Sequence, residues 1–545
     1  MNRRHSALAV AALLGVTGFG VSHVASATTE PVDTTEAADT TESVETTESA
    51  DTTEAVDTTE PAETTEPAET TEAVETTEAA ETTTSFPDWE PEPIEWSEGP
   101  MPNTEVGYLE VPIDYANPDD GTLRLYVGRH LASNPAERIG ILFTNPGGPG
   151  FGASDWALYA DGSFGPDLVD RFDIIAFDPR GTGLSEPAID CVDDYDHFYA
   201  GYDITPDDEA EREEIVELAE EFAAGCTDNN SEIIQFIGTN NTARDIDTVR
   251  RALGEEQASW FGFSYGSELG ATWATLFPDT VRAAVLDGAA DPNADLLEGG
   301  LQQTEGFEGT LTTYLADCSA DPGCAFHNDG DAEGAFDQLM LKLDAKPIPS
   351  VEGRPDVSRG VALQGVAEAM YSDSSWPALS QALADAQQGD GAGLLGLYDS
   401  YYQYNGVDWG NELEAFQTIT CMDAAERLTV EEDDATAEQF NEIAPRFAPG
   451  TTGSYFCTFF PDSTDPRADI TGAGAGPIVV CGATGDAATP LQSTRNMAAA
   501  LEDGRLVVIE ADQHTCYGAN QCADQIIEDY LVNLVIPAEE TDCPA

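Results

Sequence analysis

Three residues in one chain order frame the chemistry open to this sequence: Ser264, Asp486 and His514. Ser264 lies in Trp260-Phe261-Gly262-Phe263-Ser264-Tyr265-Gly266-Ser267. The apolar run before it reads as a strand, and the small-residue stretch from Ser267 to Phe277 reads as a helix that ends before Pro278. A strand that turns at once into a helix needs glycines two positions either side of the apex, because a Cβ there would strike neighbouring backbone. The apex hydroxyl then stands clear of the sheet edge, and the helix N-terminus turns its N–H groups to the same point. Such a hydroxyl is a nucleophile for acyl transfer, provided a base, an orienting acid and an oxyanion hole reach it.

The base should be a histidine, whose neutral form accepts a proton near neutral pH. Of the six histidines, His5 and His23 lie near the start of the chain, and His130, His197 and His327 lie in segments without strand-end context. His514 follows the apolar run Leu506 to Ile509, in the loop Glu510 to Cys516. Asp486 sits in the loop Gly482 to Pro490, just past the buried-strand pattern Ile478 to Cys481 and ahead of His514. That gives the order nucleophile, acid, base that accompanies this kind of elbow. Oxyanion stabilisation needs two convergent N–H donors. Tyr265, directly after the serine, offers one, and Gly148 in Asn145-Pro146-Gly147-Gly148-Pro149-Gly150 offers the other. A histidine base predicts activity that falls in acid, with a midpoint near the unperturbed value of about 6.5 if no strong shift operates.

These groups need a scaffold that brings distant segments to one rim. Gly107 to Ile113 and Leu123 to His130 read as an antiparallel opening pair. Strand patterns follow at Ile139 to Thr144, Phe172 to Phe177, Trp260 to Phe263, Val281 to Leu286, Gly476 to Cys481 and Leu506 to Ile509, with a helix at Thr242 to Leu253. Alternating strands and helices imply an α/β fold with a mostly parallel central sheet, whose reactive groups gather at the carboxyl ends of the strands. Residues 295–470 interrupt the sheet pattern with helical stretches such as Ala332 to Leu343 and Leu363 to Met370, and read as an inserted, mainly helical cap. The aromatic cluster Tyr398, Tyr401, Tyr402, Tyr404 and Trp409 is expected in the core of that cap. The core domain would then run over 93–294 and 471–545. The loop Asp178 to Ser185 reads as architecture rather than chemistry.

Residues 1–27 have the pattern of an export signal: a basic start at Arg3, Arg4 and His5, an apolar stretch from Ala7 to Val21, and Ala25-Ser26-Ala27 for cleavage. Residues 28–92 are expected to form a disordered acidic stalk built on a six-residue Thr/Glu repeat, with too little apolar surface to fold. A secreted protein follows, with no membrane insertion after signal removal. The net charge of −82 argues against nucleic acid as a partner. All ten cysteines lie after residue 190, and in an exported chain they are disulfide candidates. Cys318 and Cys324 would close a small loop. Order along the chain suits Cys191 with Cys226, Cys421 with Cys457, Cys481 with Cys516, and Cys522 with Cys543, although ten cysteines permit many other pairings. They are too scattered for a zinc site, and no metal or cofactor is implied.

The ordered set of Asn145 to Gly150, Asp178 to Ser185, Gly262 to Gly266, Asp486 and His514 resembles the α/β-hydrolase fold. More narrowly, it resembles the secreted actinobacterial tripeptidyl-aminopeptidase family, relatives of the prolyl aminopeptidases. Asn241 to Asp247 before the elbow, Leu286-Asp287-Gly288 after it, and Cys522 through Cys543 add to the likeness, which covers residues 95–545. The resemblance implies a serine hydrolase acting on a peptide or small ester, with Ser264 as nucleophile, His514 as base and Asp486 as orienter. Two departures stand out. No cysteine precedes Cys191, and Glu268 takes a place where such proteins often carry an aromatic residue. Glu268 either favours the helix N-terminus or shapes a substrate site.

Overall fold

The computed structural model describes residues 89–545, except 202, 203, 207, 408 and 452. The expected export signal and residues 28–88 of the expected stalk lie outside the described residues. Strands β4 (Gly140–Asn145), β6 (Ala258–Phe263) and β8 (Ile478–Ala483) are buried along their whole length, as strands covered on both faces must be. Their side chains alternate between two apolar cores, because successive residues of a strand point to opposite faces. Phe143, Trp260, Leu286 and Val480 join one core. Leu142, Phe261, Val285 and Val479 join the other.

The remaining strands are β1 (Ser97–Glu98), β2 (Thr104–Pro112), β3 (Thr122–His130), β5 (Phe172–Phe177), β7 (Val281–Asp287), β9 (Gly504–Ile509) and β10 (Glu540–Cys543). They form a single sheet in the order β1-β2-β3-β5-β4-β6-β7-β8-β9-β10. From β5 to β10 every neighbouring pair is parallel. The β1–β2, β2–β3 and β3–β5 pairs are antiparallel, so the opening hairpin extends one edge. Register brings the strand ends to one level: Phe263 faces Asp287, Asp287 faces Cys481, and Ala483 faces Ile509.

Between β7 and β8 the chain is helical from Leu296–Ala320 through Val430–Ile443. Most of these helices share a core of their own, with Leu311, Tyr314, Phe336, Leu363, Met370 and Tyr398 inside it. Tyr402 and Trp409 pack on that core, while Tyr401 approaches Tyr371 at 6.4 Å between ring centroids. The helix Glu412–Asp423 behaves differently. Its Ala415, Ile419 and Met422 enter the sheet core.

Five disulfides join Cys191 to Cys226, Cys318 to Cys324, Cys421 to Cys457, Cys481 to Cys516, and Cys522 to Cys543. The loop Asp178 to Ser185 is held both within itself and by distant segments. Asp178 accepts the N–H groups of Ser154 and Leu184, and Arg180 is fully buried with both oxygens of Asp245 in its fork, at 2.8 and 2.6 Å.

Candidate active site

Ser264 joins β6 to the helix Tyr265–Leu276 with φ 54° and ψ −126°, a conformation that costs a non-glycine residue energy and clusters at functional sites. The turn is this tight because Gly262 and Gly266 touch: a Cβ on Gly262 would lie 2.0 Å from the Gly266 carbonyl oxygen. Tyr265 is the first residue of the helix, so its N–H has no carbonyl one turn behind it to bond.

The Asn145 to Gly150 loop, at the end of the neighbouring β4, presses on the same serine. A Cβ on Gly147 would sit 2.7 Å from Ser264 Cβ. The side chain of Asn145 takes up the Gly147 N–H at 2.9 Å. Among the described residues the Gly148 N–H has no hydrogen-bond partner. The sequence pair Gly147-Gly148 thus divides its work: one glycine permits the close approach, and the other keeps a donor unspent.

His514 is buried, and its Nδ1 lies 2.9 Å from each oxygen of Asp486. A carboxylate only accepts, so Nδ1 carries the proton and the neutral ring leaves a lone pair on Nε2. Nε2 is buried and without a partner among the described residues, and no hydrogen bond joins it to Ser264. Burial by itself lowers the proton affinity of the ring; the Asp486 charge and hydrogen bond, with Asp287 beyond, outweigh it and raise the pKa above the ordinary value. Asp486 is itself held by the N–H groups of Ala488 and Thr489 on Oδ1 and by the Thr489 hydroxyl on Oδ2, at 3.1 Å.

Thr489 was not legible as a site residue. Its Oγ1 also lies 3.2 Å from His514 Nδ1, so it touches acid and base together. The helical insertion reaches the base as well. Tyr371 accepts the His514 N–H at 2.8 Å, and its ring meets the imidazole edge-on with centroids 5.4 Å apart. Glu268 is buried and engaged by Arg467 at 2.8 Å; Arg467 also donates to the carbonyls of Pro292 and Ala294. The other described histidines lie elsewhere: His130 Nε2 is 3.5 Å from Asp161 and neither of its ring nitrogens has a hydrogen-bond partner among the described residues, His197 meets Phe198 edge-on, and His327 contacts the Cys318 carbonyl. One trio among the described residues has metal-ligand spacing, Asp287, Cys481 and Cys516, but its two sulfurs are bonded to each other.

Comparison with known proteins places residues 141–352 in a family described as alpha/beta hydrolase fold, and residues 446–543 in one described as TAP-like protein. Serine protease Hip1 of Mycobacterium tuberculosis is 32% identical over 482 residues, covering 83% of this chain and 91% of that protein. Carboxylesterase B of the same species is 34% identical over 450 residues, covering 80% and 85%. The tripeptidyl aminopeptidase of Streptomyces lividans is 29% identical over 472 residues, covering 84% and 86%.

Proposed function

The chain belongs to the α/β-hydrolase fold family with a TAP-like C-terminal region and is a serine hydrolase of the peptidase kind, and from that premise we propose a secreted aminopeptidase that removes short peptides from free N-termini. Residues 1–27 are the export signal, 28–92 the stalk, 93–294 and 471–545 the catalytic domain, and 295–470 the cap that selects substrate. The observation that carries the mechanism is the state of His514: Nδ1 locked on Asp486, and Nε2 without a partner among the described residues at the strand-end rim from which Ser264 projects.

In the proposed cycle Nε2 takes the Ser264 hydroxyl proton as Oγ bonds to the substrate carbonyl carbon. The Ser264–His514 hydrogen bond forms in the substrate complex, since such bonds tighten there. The carbonyl oxygen becomes an oxyanion and receives the N–H groups of Tyr265 and Gly148. Collapse expels the amine, which leaves with the proton from Nε2, and Ser264 keeps the acyl group. Water then adds to the acyl carbon, giving its proton to Nε2, and the acid departs as that proton returns to Oγ. Asp486 keeps its negative charge throughout and stabilises the imidazolium.

A carboxylesterase is the second reading, favoured by the 34% identical relative of that name. The test compares a tripeptide anilide with free amine, the same anilide with a blocked amine, and a short-chain aryl ester. The aminopeptidase reading expects the free-amine peptide to have the highest kcat/KM. Preference for the blocked peptide or the ester removes it.

A further inference from the structure

We propose that Asp287 is a positioning residue that sets the approach of His514 to Ser264, gripping the nucleophile turn with its main chain and the histidine loop with its side chain. The inference rests on the assignment of Ser264 as nucleophile and His514 as base. Asp287 ends β7, between the strand that carries the elbow and the strand that precedes Asp486. Its carbonyl accepts the Ser264 N–H at 2.8 Å. Its carboxylate accepts the Cys516 N–H at 2.7 Å and the Tyr517 N–H at 2.9 Å, two and three residues past His514. One residue therefore fixes both partners of a proton transfer through bonds that a small shift would break.

Two further contacts close the figure. The next residue, Gly288, donates its N–H to the Cys481 carbonyl at 2.9 Å, and a Cβ on Gly288 would lie 3.1 Å from His514 Cε1. The imidazole thus rests on the backbone that follows Asp287. The Cys481–Cys516 disulfide ties the same loop to the neighbouring strand.

A fold that needed only two acceptors here would be served by neutral groups, since a buried carboxylate without a cation is costly. Asp287 is fully buried and forms no ion pair among the described residues. Burial pushes its carboxyl up to about 7, even with two N–H donors and His514 opposing the rise and Asp486 adding to it. What the charge adds is a second negative group beside the imidazolium that forms when Ser264 gives up its proton. The groups facing His514 are Asp486, Asp287, Thr489 and the Tyr371 ring; those facing Asp287 are His514 and Asp486.

The experiment compares wild type, Asp287→Asn, Asp287→Glu and Ser264→Ala by kcat, KM and pH profile on the best wild-type substrate of the three above, with thermal melts of each. Asp287→Asn keeps the length and removes the charge. It should lower kcat by about 10–100-fold with KM nearly unchanged, and move the acid limb of kcat/KM to lower pH. Asp287→Glu keeps the charge and displaces the loop, so it should lower kcat and leave the acid limb in place. Wild-type kcat and an unmoved acid limb in Asp287→Asn would overturn the proposal. Failure of both variants to fold would also overturn it, making Asp287 a pin of the fold and not of the proton transfer. A wild type as inactive as Ser264→Ala would instead sink the underlying assignment, and this inference with it.

Discussion

Replacing Asp486 by asparagine is the sharpest single perturbation of the site. Oδ1 of Asp486 accepts two main-chain N–H groups, from Ala488 at 3.0 Å and Thr489 at 2.9 Å. An asparagine would keep its carbonyl oxygen there and put Nδ2 on the Oδ2 side, facing His514 Nδ1 and the Thr489 hydroxyl. That NH2 group donates, so Nδ1 would have to accept, and the ring proton would move to Nε2. The nitrogen meant to take the Ser264 proton would then already hold one. The loss should be about 10⁴-fold in kcat, or about 5.5 kcal/mol of transition-state stabilisation, with KM little changed. Steady-state kinetics give both values, and a thermal melt checks that the fold survives. A folded Asp486→Asn enzyme within about tenfold of wild-type kcat would refute the tautomer account.

Other expectations follow from the same geometry. Because the folded pKa of His514 is raised, kcat/KM should fall through a midpoint above the ordinary value of about 6.5, and a pH–rate profile flat down to about pH 4 would contradict a histidine base. The same shift makes His514 contribute stability that is full below the unfolded pKa and is lost as pH rises through the folded one, which melts across pH 6–9 would follow. Thr489→Val removes a hydroxyl shared by Asp486 and His514 and should cost about 10–100-fold in kcat with the melting temperature nearly intact. Gly147→Ala would push a methyl against Ser264 and should abolish turnover while leaving a folded protein, as judged by circular dichroism. Arg180→Met strands the fully buried Asp245 and should lower unfolding free energy by about 3–5 kcal/mol in a urea titration.

What was legible in the sequence was what a short contiguous pattern can carry. Gly262 and Gly266 around Ser264 betray the turn because only glycines fit there, and the central strands announce themselves as unbroken apolar runs. Strands β4 to β9 lie within about two residues of the sequence patterns at each end. β10, Glu-Thr-Asp-Cys, has no apolar alternation and was invisible; its pairing with β9 supplies the structure its residues do not suggest. Partners far apart along the chain were equally hidden. Nothing near Glu268 points to Arg467, and the loop holding Arg180 gives no hint of Asp245. Helix Glu412–Asp423 falls inside residues 295–470, expected to be the cap, yet its apolar face settles on the sheet core because Gly150 lets it lie directly against the Asn145 to Gly150 loop. Thr489, three residues past Asp486, is a residue type too common in loops to stand out.

The central claim is that the Ser264 oxygen, activated by His514, is the group that bonds to substrate. Treating the folded protein with a fluorophosphonate and mapping the adduct by peptide mass spectrometry tests it most directly. The account predicts one adduct, on the peptide containing Ser264, formed far more slowly after His514→Ala and absent after Ser264→Ala. No adduct on folded wild-type protein, or an adduct on a different residue, would contradict it.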